Sequence, residues 1–173
     1  PDADMELTAD AAIASGYGSA GERCMAQTLV IAVGDVADRL RPLMLERIGR
    51  LKVGPGLEPG MDMGPIYSAE HRDAIVSWIA KGVEDGAELV VDGRAFHHPE
   101  HPDGFFLGVS LFDRVTPGMR IFAEEIFGPV LGIVRVATYD EALALINGHQ
   151  YANGTAIFTT DGGAARRFKL EVE

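Results

Sequence analysis

Cys24 is the only thiol among the 173 residues, and an ionised thiol is a strong nucleophile toward electrophilic carbon. It stands in Gly21-Glu22-Arg23-Cys24-Met25-Ala26, after a glycine-rich stretch and before an apolar run. A lone cysteine is more often a small buried hydrophobe than a reactive group. Two local features weigh against that reading. Functional side chains concentrate on loops held by rigid elements, and the neighbouring Arg23 favours a thiolate, while Glu22 opposes it. A second segment, Glu124-Glu125-Ile126-Phe127-Gly128-Pro129-Val130, sets two carboxylates and an aromatic directly before another apolar run. One carboxylate could accept hydrogen bonds from ribose hydroxyls while the ring lies beside a flat heterocycle. The ordinary alternative is a charged surface turn with Phe127 in the core.

Two other patterns do not carry the chemistry their letters spell. Gly16-Tyr17-Gly18-Ser19-Ala20-Gly21 reads G-x-G-x-x-G, but a dinucleotide fingerprint needs a strand before it and a helix after it. Here a helical pattern comes first and a strand pattern last, so a helix-terminating turn is expected. His97-His98-Pro99-Glu100-His101 reads H-x-x-E-H, which binds zinc only when a helix puts both histidines on one face. Pro99 within it and Gly93 and Gly104 around it make a surface loop, and no designed metal site is expected.

The elements that must hold these segments alternate. Met5 to about Ala20 suits a helix, and Thr28–Val33 a buried strand. Asp35 is placed to cap a helix carrying Val36, Leu40, Leu43, Met44 and Leu51, with Pro42 marking a boundary or kink. After a Gly/Pro-rich loop from Gly54 to Pro65, Ser68 caps a helix with Ile75, Ile79 and Val83 on its apolar face. Strands are expected at Glu88–Val91, Val130–Val134 and Gly154–Thr159, with extended segments at Phe105–Leu107 and Ser110–Phe112. Thr138 and Glu141 form a capping box, and Asp161 caps a last helix containing Phe168. Such alternation predicts an α/β layered fold, a largely parallel sheet with flanking helices.

Composition narrows the function further. Fifteen Lys and Arg against 26 Asp and Glu give a net charge of −11, which repels nucleic acid and anionic lipid. No apolar run approaches the ~20 residues a membrane helix needs. A single cysteine excludes an internal disulfide framework and points to a reducing, cytoplasmic setting. The first residue is Pro1 and the last helical pattern runs to Glu173, so a chain truncated at both ends is expected.

Together the two chemical segments resemble the aldehyde dehydrogenase superfamily. Its active-site motif has the form G-Q-x-C, here Gly21-Glu22-Arg23-Cys24, and its cofactor motif E-E-I-F-G-P-V matches Glu124 to Val130 letter for letter. The resemblance runs over nearly the whole chain, through Asp62-Met63-Gly64-Pro65, Glu84-Asp85-Gly86-Ala87 and Gly104-Phe105-Phe106. Arg23-Cys24-Met25-Ala26 and Asn153 to Thr159 are similar to the methylmalonate-semialdehyde dehydrogenase branch. Glu22, where Gln is usual, and Gly108-Val109-Ser110, where Gly-Pro-Thr is common, are departures.

The resemblance implies Cys24 as nucleophile, Glu125 on the nicotinamide-side ribose of NAD, Phe127 lining the nicotinamide site, and Arg23 on a substrate carboxylate. It implies a small-molecule aldehyde as substrate, a thiohemiacetal and then a thioester on Cys24, and coenzyme A as acyl acceptor, with water the acceptor in a general aldehyde dehydrogenase. It further implies residues 1–173 as the cysteine-bearing catalytic domain, with the NAD-binding domain, general base and oxyanion-hole amide upstream and the oligomerising strand downstream. The full-length enzyme is then expected to be a homo-oligomer, dimer or tetramer, and the isolated segment inactive. Two rivals stand beside this reading: a non-catalytic α/β fragment with a buried structural Cys24, and a cysteine hydrolase using His71 or His149 as base.

Overall fold

The computed structural model describes residues 1–151 and 153–173. Helix α1 spans Met5–Tyr17, capped by the Asp4 carboxylate on the Leu7 amide. Strand β1 (Leu29–Val33) leads to α2 (Val36–Ile48), and a long loop to α3 (Ala69–Glu84). Then come β2 (Glu88–Val91), β3 (Ser110–Asp113), the single turn α4 (Arg120–Ala123), β4 (Val130–Val136), α5 (Tyr139–Asn147) and α6 (Gly162–Glu171). The sheet order is β1-β4-β3-β2, with β1/β4 and β4/β3 parallel and β2 antiparallel at one edge. The expected α/β architecture with a largely parallel sheet is therefore the observed one.

Register shows how helices cover both faces. Leu111 pairs with Leu131, and Phe112 with Gly132; successive side chains alternate sides, so the two pairs face opposite ways. Leu131 meets α1, where a Cβ on Gly16 would lie 3.0 Å from its Cδ1. Phe112 meets α3, where a Cβ on Gly82 would lie 2.8 Å from its Cζ. Glycine at 16 and 82 thus lets each helix approach the sheet closely, and Leu111, Phe112, Leu131 and Ile133 are fully buried between them.

Several local expectations hold and several need correcting. Ser68 and Asp161 cap their helices through the His71 amide and through the Gly163 and Ala164 amides. Thr138 accepts from the Glu141 amide, while the Glu141 carboxylate reaches past it to the Ala137 amide. Asp35 makes no cap bond to its helix; its carboxylate takes Arg39 instead. Pro42 lies inside α2 without ending it, because it is exposed and the carbonyl it deprives of a donor can be met by water. Val83 is 46% exposed and Gly82 takes its place in the core, since Phe112 fills the space a side chain would need. Gly154–Thr159 joins no strand ladder among the described residues. Its β-branched and aromatic residues favour extended backbone, but a strand forms only where a sheet edge receives it. Here it is held at its ends, by Asn153 on the Cys24 carbonyl and by Thr159 and Thr160 on Asp2.

Among the described residues one charged side chain, that of Asp113, is buried. Asp113 closes β3 with no side-chain exposure, and its carboxylate accepts from Arg41 at 3.0 Å, from both Arg135 donors at 2.9 and 2.8 Å, and from the Arg114 amide at 2.7 Å. Burial alone raises a carboxyl pKa; the bonds from Arg135, Arg114 and Arg41 outweigh it and hold Asp113 below its ordinary value. Replacing Asp113 with Asn should cost about 3 kcal/mol, the low end for breaking a buried pair because both arginines keep a solvent-facing side. The sign with pH follows from a depressed folded pKa. The contribution is complete above about pH 5, begins to fade at the ordinary carboxylate value and is lost as pH falls on through the lower folded value. Urea melts of the two proteins should therefore converge toward acid, and a difference independent of pH would contradict the assignment.

Candidate active site

The chain enters the Cys24 loop through an unusual backbone. After Tyr17 it passes Ser19, Ala20 and Gly21 at φ 53°, 56° and 69°, three consecutive left-handed residues. Two of them carry a Cβ and are disfavoured there, so tertiary contacts must impose the path. The contact is visible at Gly21: a Cβ there would lie 2.2 Å from the Gly128 carbonyl oxygen. The expected turn at G-x-G-x-x-G is thus present, and its last glycine is required by close backbone approach to the second chemical segment.

That second segment is anchored from beneath. Ile126 is buried, Glu125 exposed, and Phe127 half-buried at φ 56°. Gly128 lies against α3, where a Cβ would meet Ile75 Cδ1 at 2.5 Å. One helical turn earlier on the same face of α3, His71 Nε2 lies 2.8 Å from the Phe127 carbonyl and donates to it. The same nitrogen stands 3.8 Å from Glu22 Oε1, which also accepts from the Tyr67 amide at 3.3 Å. The structure therefore brings the Cys24 loop and the Glu124–Val130 segment together twice, by backbone at Gly21 and Gly128 and by side chains through Glu22 and His71.

Around this junction the candidate residues are placed as follows. Cys24 is exposed, so the rival with a sealed structural cysteine does not describe it. Its carbonyl accepts from the Asn153 side chain. Arg23 is exposed and turns back over Gly18, its Nε donating to Ser19 Oγ at 3.0 Å. Its terminal nitrogens meet no carboxylate among the described residues. Gly18 also edges a shallow groove of about 350 Å³ lined by Ile13, Tyr17 and Arg47 among others. Glu125 enters no ion pair among the described residues. Burial pushes the Glu22 carboxyl above its ordinary value, against the Tyr67 amide and His71.

The histidines do other work than the hydrolase reading requires. His71 Nε2 is spent on Phe127, and His149 Nε2 lies 2.8 Å from the Phe122 carbonyl while its Nδ1 takes the Tyr151 amide. Residues 97–101 form a loop, and no group of three or more His, Cys, Asp or Glu among the described residues is placed to hold a metal ion. His71 is the site residue that sequence reasoning set aside; only its position one turn before Ile75, in the first turn of α3, marks it.

With this geometry in place, comparison with known proteins decides the family. The aldehyde dehydrogenase family model matches residues 1–173. The chain belongs to the aldehyde dehydrogenase family. It is 53% identical to a malonate-semialdehyde dehydrogenase of Pseudomonas aeruginosa, over 100% of this chain and 35% of the relative. It is 44% identical to the acylating, mitochondrial methylmalonate-semialdehyde dehydrogenase of Arabidopsis thaliana, over 100% of this chain and 28% of that protein. A crystal structure from Sinorhizobium meliloti 1021, described as a methylmalonate-semialdehyde dehydrogenase and complexed with NAD, superposes with a TM-score of 0.97 at 48% identity. It shares 99% of this chain and 35% of its own. This aldehyde dehydrogenase chain thus spans about a third of the length of such relatives.

Gly21→Ala is the direct test of the junction. It places a methyl in the Gly128 carbonyl at a left-handed position and should cost about 2 kcal/mol or more, combining strain with lost packing. Gly64→Ala, with open space around it, should stay within about 0.5 kcal/mol. Equal melting temperatures for both variants would mean that the two loops do not meet as described.

Proposed function

We propose that the enzyme of which this chain supplies the cysteine-bearing segment oxidises a carboxylate-bearing semialdehyde, malonate or methylmalonate semialdehyde, and transfers the acyl group to coenzyme A. The observation that carries the proposal is the contact between the Cys24 loop and the Glu124–Val130 segment. It joins the loop that bears an exposed thiol to the segment that bears a half-buried ring and an exposed carboxylate with no ion pair among the described residues.

The donor set suits a nicotinamide nucleotide. Glu125 has free oxygens for two vicinal hydroxyls of a ribose, and the Phe127 ring offers an apolar wall for a flat base. NAD, when bound, supplies the hydride acceptor. The protein's own part begins with the Cys24 thiolate attacking the aldehyde carbon, which forms the C–S bond and moves the carbonyl electrons onto oxygen. The Cys24 backbone N–H, next in the chain to a well-anchored turn, is the donor this segment offers to that oxyanion. Loss of hydride from the thiohemiacetal carbon leaves a thioester on Cys24. Attack by the coenzyme A thiol then breaks the Cys24 C–S bond and frees the enzyme thiol. Arg23, which meets no carboxylate among the described residues, holds the far carboxylate of the substrate through its planar fork. The same reading carries a reducing, cytoplasmic setting and a homo-oligomeric full-length enzyme, dimer or tetramer. It assigns no activity to the 173-residue segment alone, and NAD reduction by that segment would overturn this last point.

In the full-length enzyme, Cys24→Ser should abolish NADH formation. Arg23→Leu should lower kcat/KM for malonate semialdehyde by roughly 10- to 100-fold, the worth of a charge-assisted bidentate contact, and for propanal by less than about threefold. An equal loss on both aldehydes removes the specificity role of Arg23. Mass spectrometry of the product distinguishes the acceptors: acyl-coenzyme A supports the reading, and free acid in the presence of coenzyme A supports the water-releasing alternative.

A further inference from the structure

We infer that His71 is a positioning residue, which sets the backbone of Phe127 in the cofactor segment and ties it to the Cys24 loop through Glu22. The inference rests on the function proposed above and adds a residue from a different element to it. Three observations carry it. First, Phe127 is held at φ 56°, a conformation costly for an aromatic residue, so something outside the segment must maintain it. The Phe127 carbonyl leaves this strained residue toward α3 and takes the His71 Nε2–H at 2.8 Å. Second, His71 cannot swing freely. Its ring is stacked on Tyr67 with centroids 4.6 Å apart, is tilted to Phe127 at 6.4 Å, and is 17% exposed. Third, α3 grips the segment at two points one turn apart, since Ile75 fills the space above Gly128. A rigid helix thus fixes two successive peptide units of the cofactor segment.

The tautomer is fixed by the same contact. A carbonyl only accepts, so Nε2 carries the proton and His71 serves as a donor, not as a base toward Cys24. The Glu22 oxygen 3.8 Å from Nε2 is itself placed by the Tyr67 amide. Glu22 sits two residues before Cys24, so any drift of the Phe127 carbonyl disturbs the partner to which the thiol loop is registered. His71 touches neither substrate nor cofactor in this account and acts only through what it holds.

The test uses the full-length enzyme and reads KM for NAD against kcat at saturating aldehyde. His71→Phe keeps a ring against Tyr67 and deletes the donor; it should raise KM for NAD roughly tenfold, the scale of one lost hydrogen bond, with kcat changed less. His71→Gln can bring an Nε2–H to nearly the same place and should restore KM to within about twofold. If His71→Phe does not accumulate, His71→Ala, which relieves crowding, is read in the same way. An unchanged KM in every variant overturns the inference. So does a fall in kcat that tracks the fraction of folded protein while KM stays constant, because that is what a purely structural role produces. Cys24→Ser, run alongside, separates the two levels. Turnover in that variant would sink the functional reading itself, whereas lost turnover with an unmoved KM in His71→Phe sinks only the role of His71.

Discussion

The site depends on one close approach, that of the Gly21 backbone to the Gly128 carbonyl. No side chain can occupy the gap, since a Cβ on Gly21 would lie 2.2 Å from that oxygen, and the approach is reached only through three left-handed residues in a row. Backbone of this kind persists when its surroundings over-determine it. They do so here: α1 is pinned by Gly16 against Leu131 and by the Tyr17 hydroxyl on the Ser110 carbonyl at 3.0 Å, and α3 grips the other loop through Ile75 and His71. Helices on opposite faces of the sheet thus hold two loops against each other, the one that bears Cys24 and the one from Glu124 to Val130.

This arrangement divides labour between a rigid base and an accessible rim. The base consists of Leu111, Phe112, Leu131 and Ile133 and of glycines that let helices sit low on the sheet. The rim carries Arg23, Cys24 and Glu125, all exposed. Exposure costs these side chains the packing that would otherwise fix them; the fold answers by fixing peptide units close to them. The buried Asp113 serves the same end at the far end of β3, cross-linking α2 and β4 through Arg41 and Arg135. Its value lies in geometry as much as in energy, because a carboxylate with four donors around it tolerates little displacement.

Much of this was legible in the sequence, and the gaps have physical reasons. Caps at Ser68, Thr138 and Asp161 were readable because a short polar side chain before an apolar periodic run has few other uses. The rejection of G-x-G-x-x-G as a nucleotide loop was readable from element order alone. The strand at Gly154–Thr159 was misread because propensity describes a residue's preference and not the presence of a neighbouring edge. Val83 was misplaced because spacing cannot reveal that Phe112 claims the space over Gly82. The pairing of the Cys24 and Glu125 segments came from resemblance to the family, not from any local pattern, for they are about a hundred residues apart. His71 left only a faint signature, its place one turn before Ile75, since what it makes is a hydrogen bond to a main-chain carbonyl that any residue could present.

The most direct test of the central claim is to trap the covalent intermediate. The full-length enzyme, mixed with NAD and malonate semialdehyde without coenzyme A and quenched in acid within milliseconds, would be digested and read by mass spectrometry. The account predicts an acyl adduct on the peptide that bears Cys24, absent without NAD and discharged when coenzyme A is added before the quench. An adduct on another residue, or none on Cys24 while NADH accumulates in a burst, would contradict it.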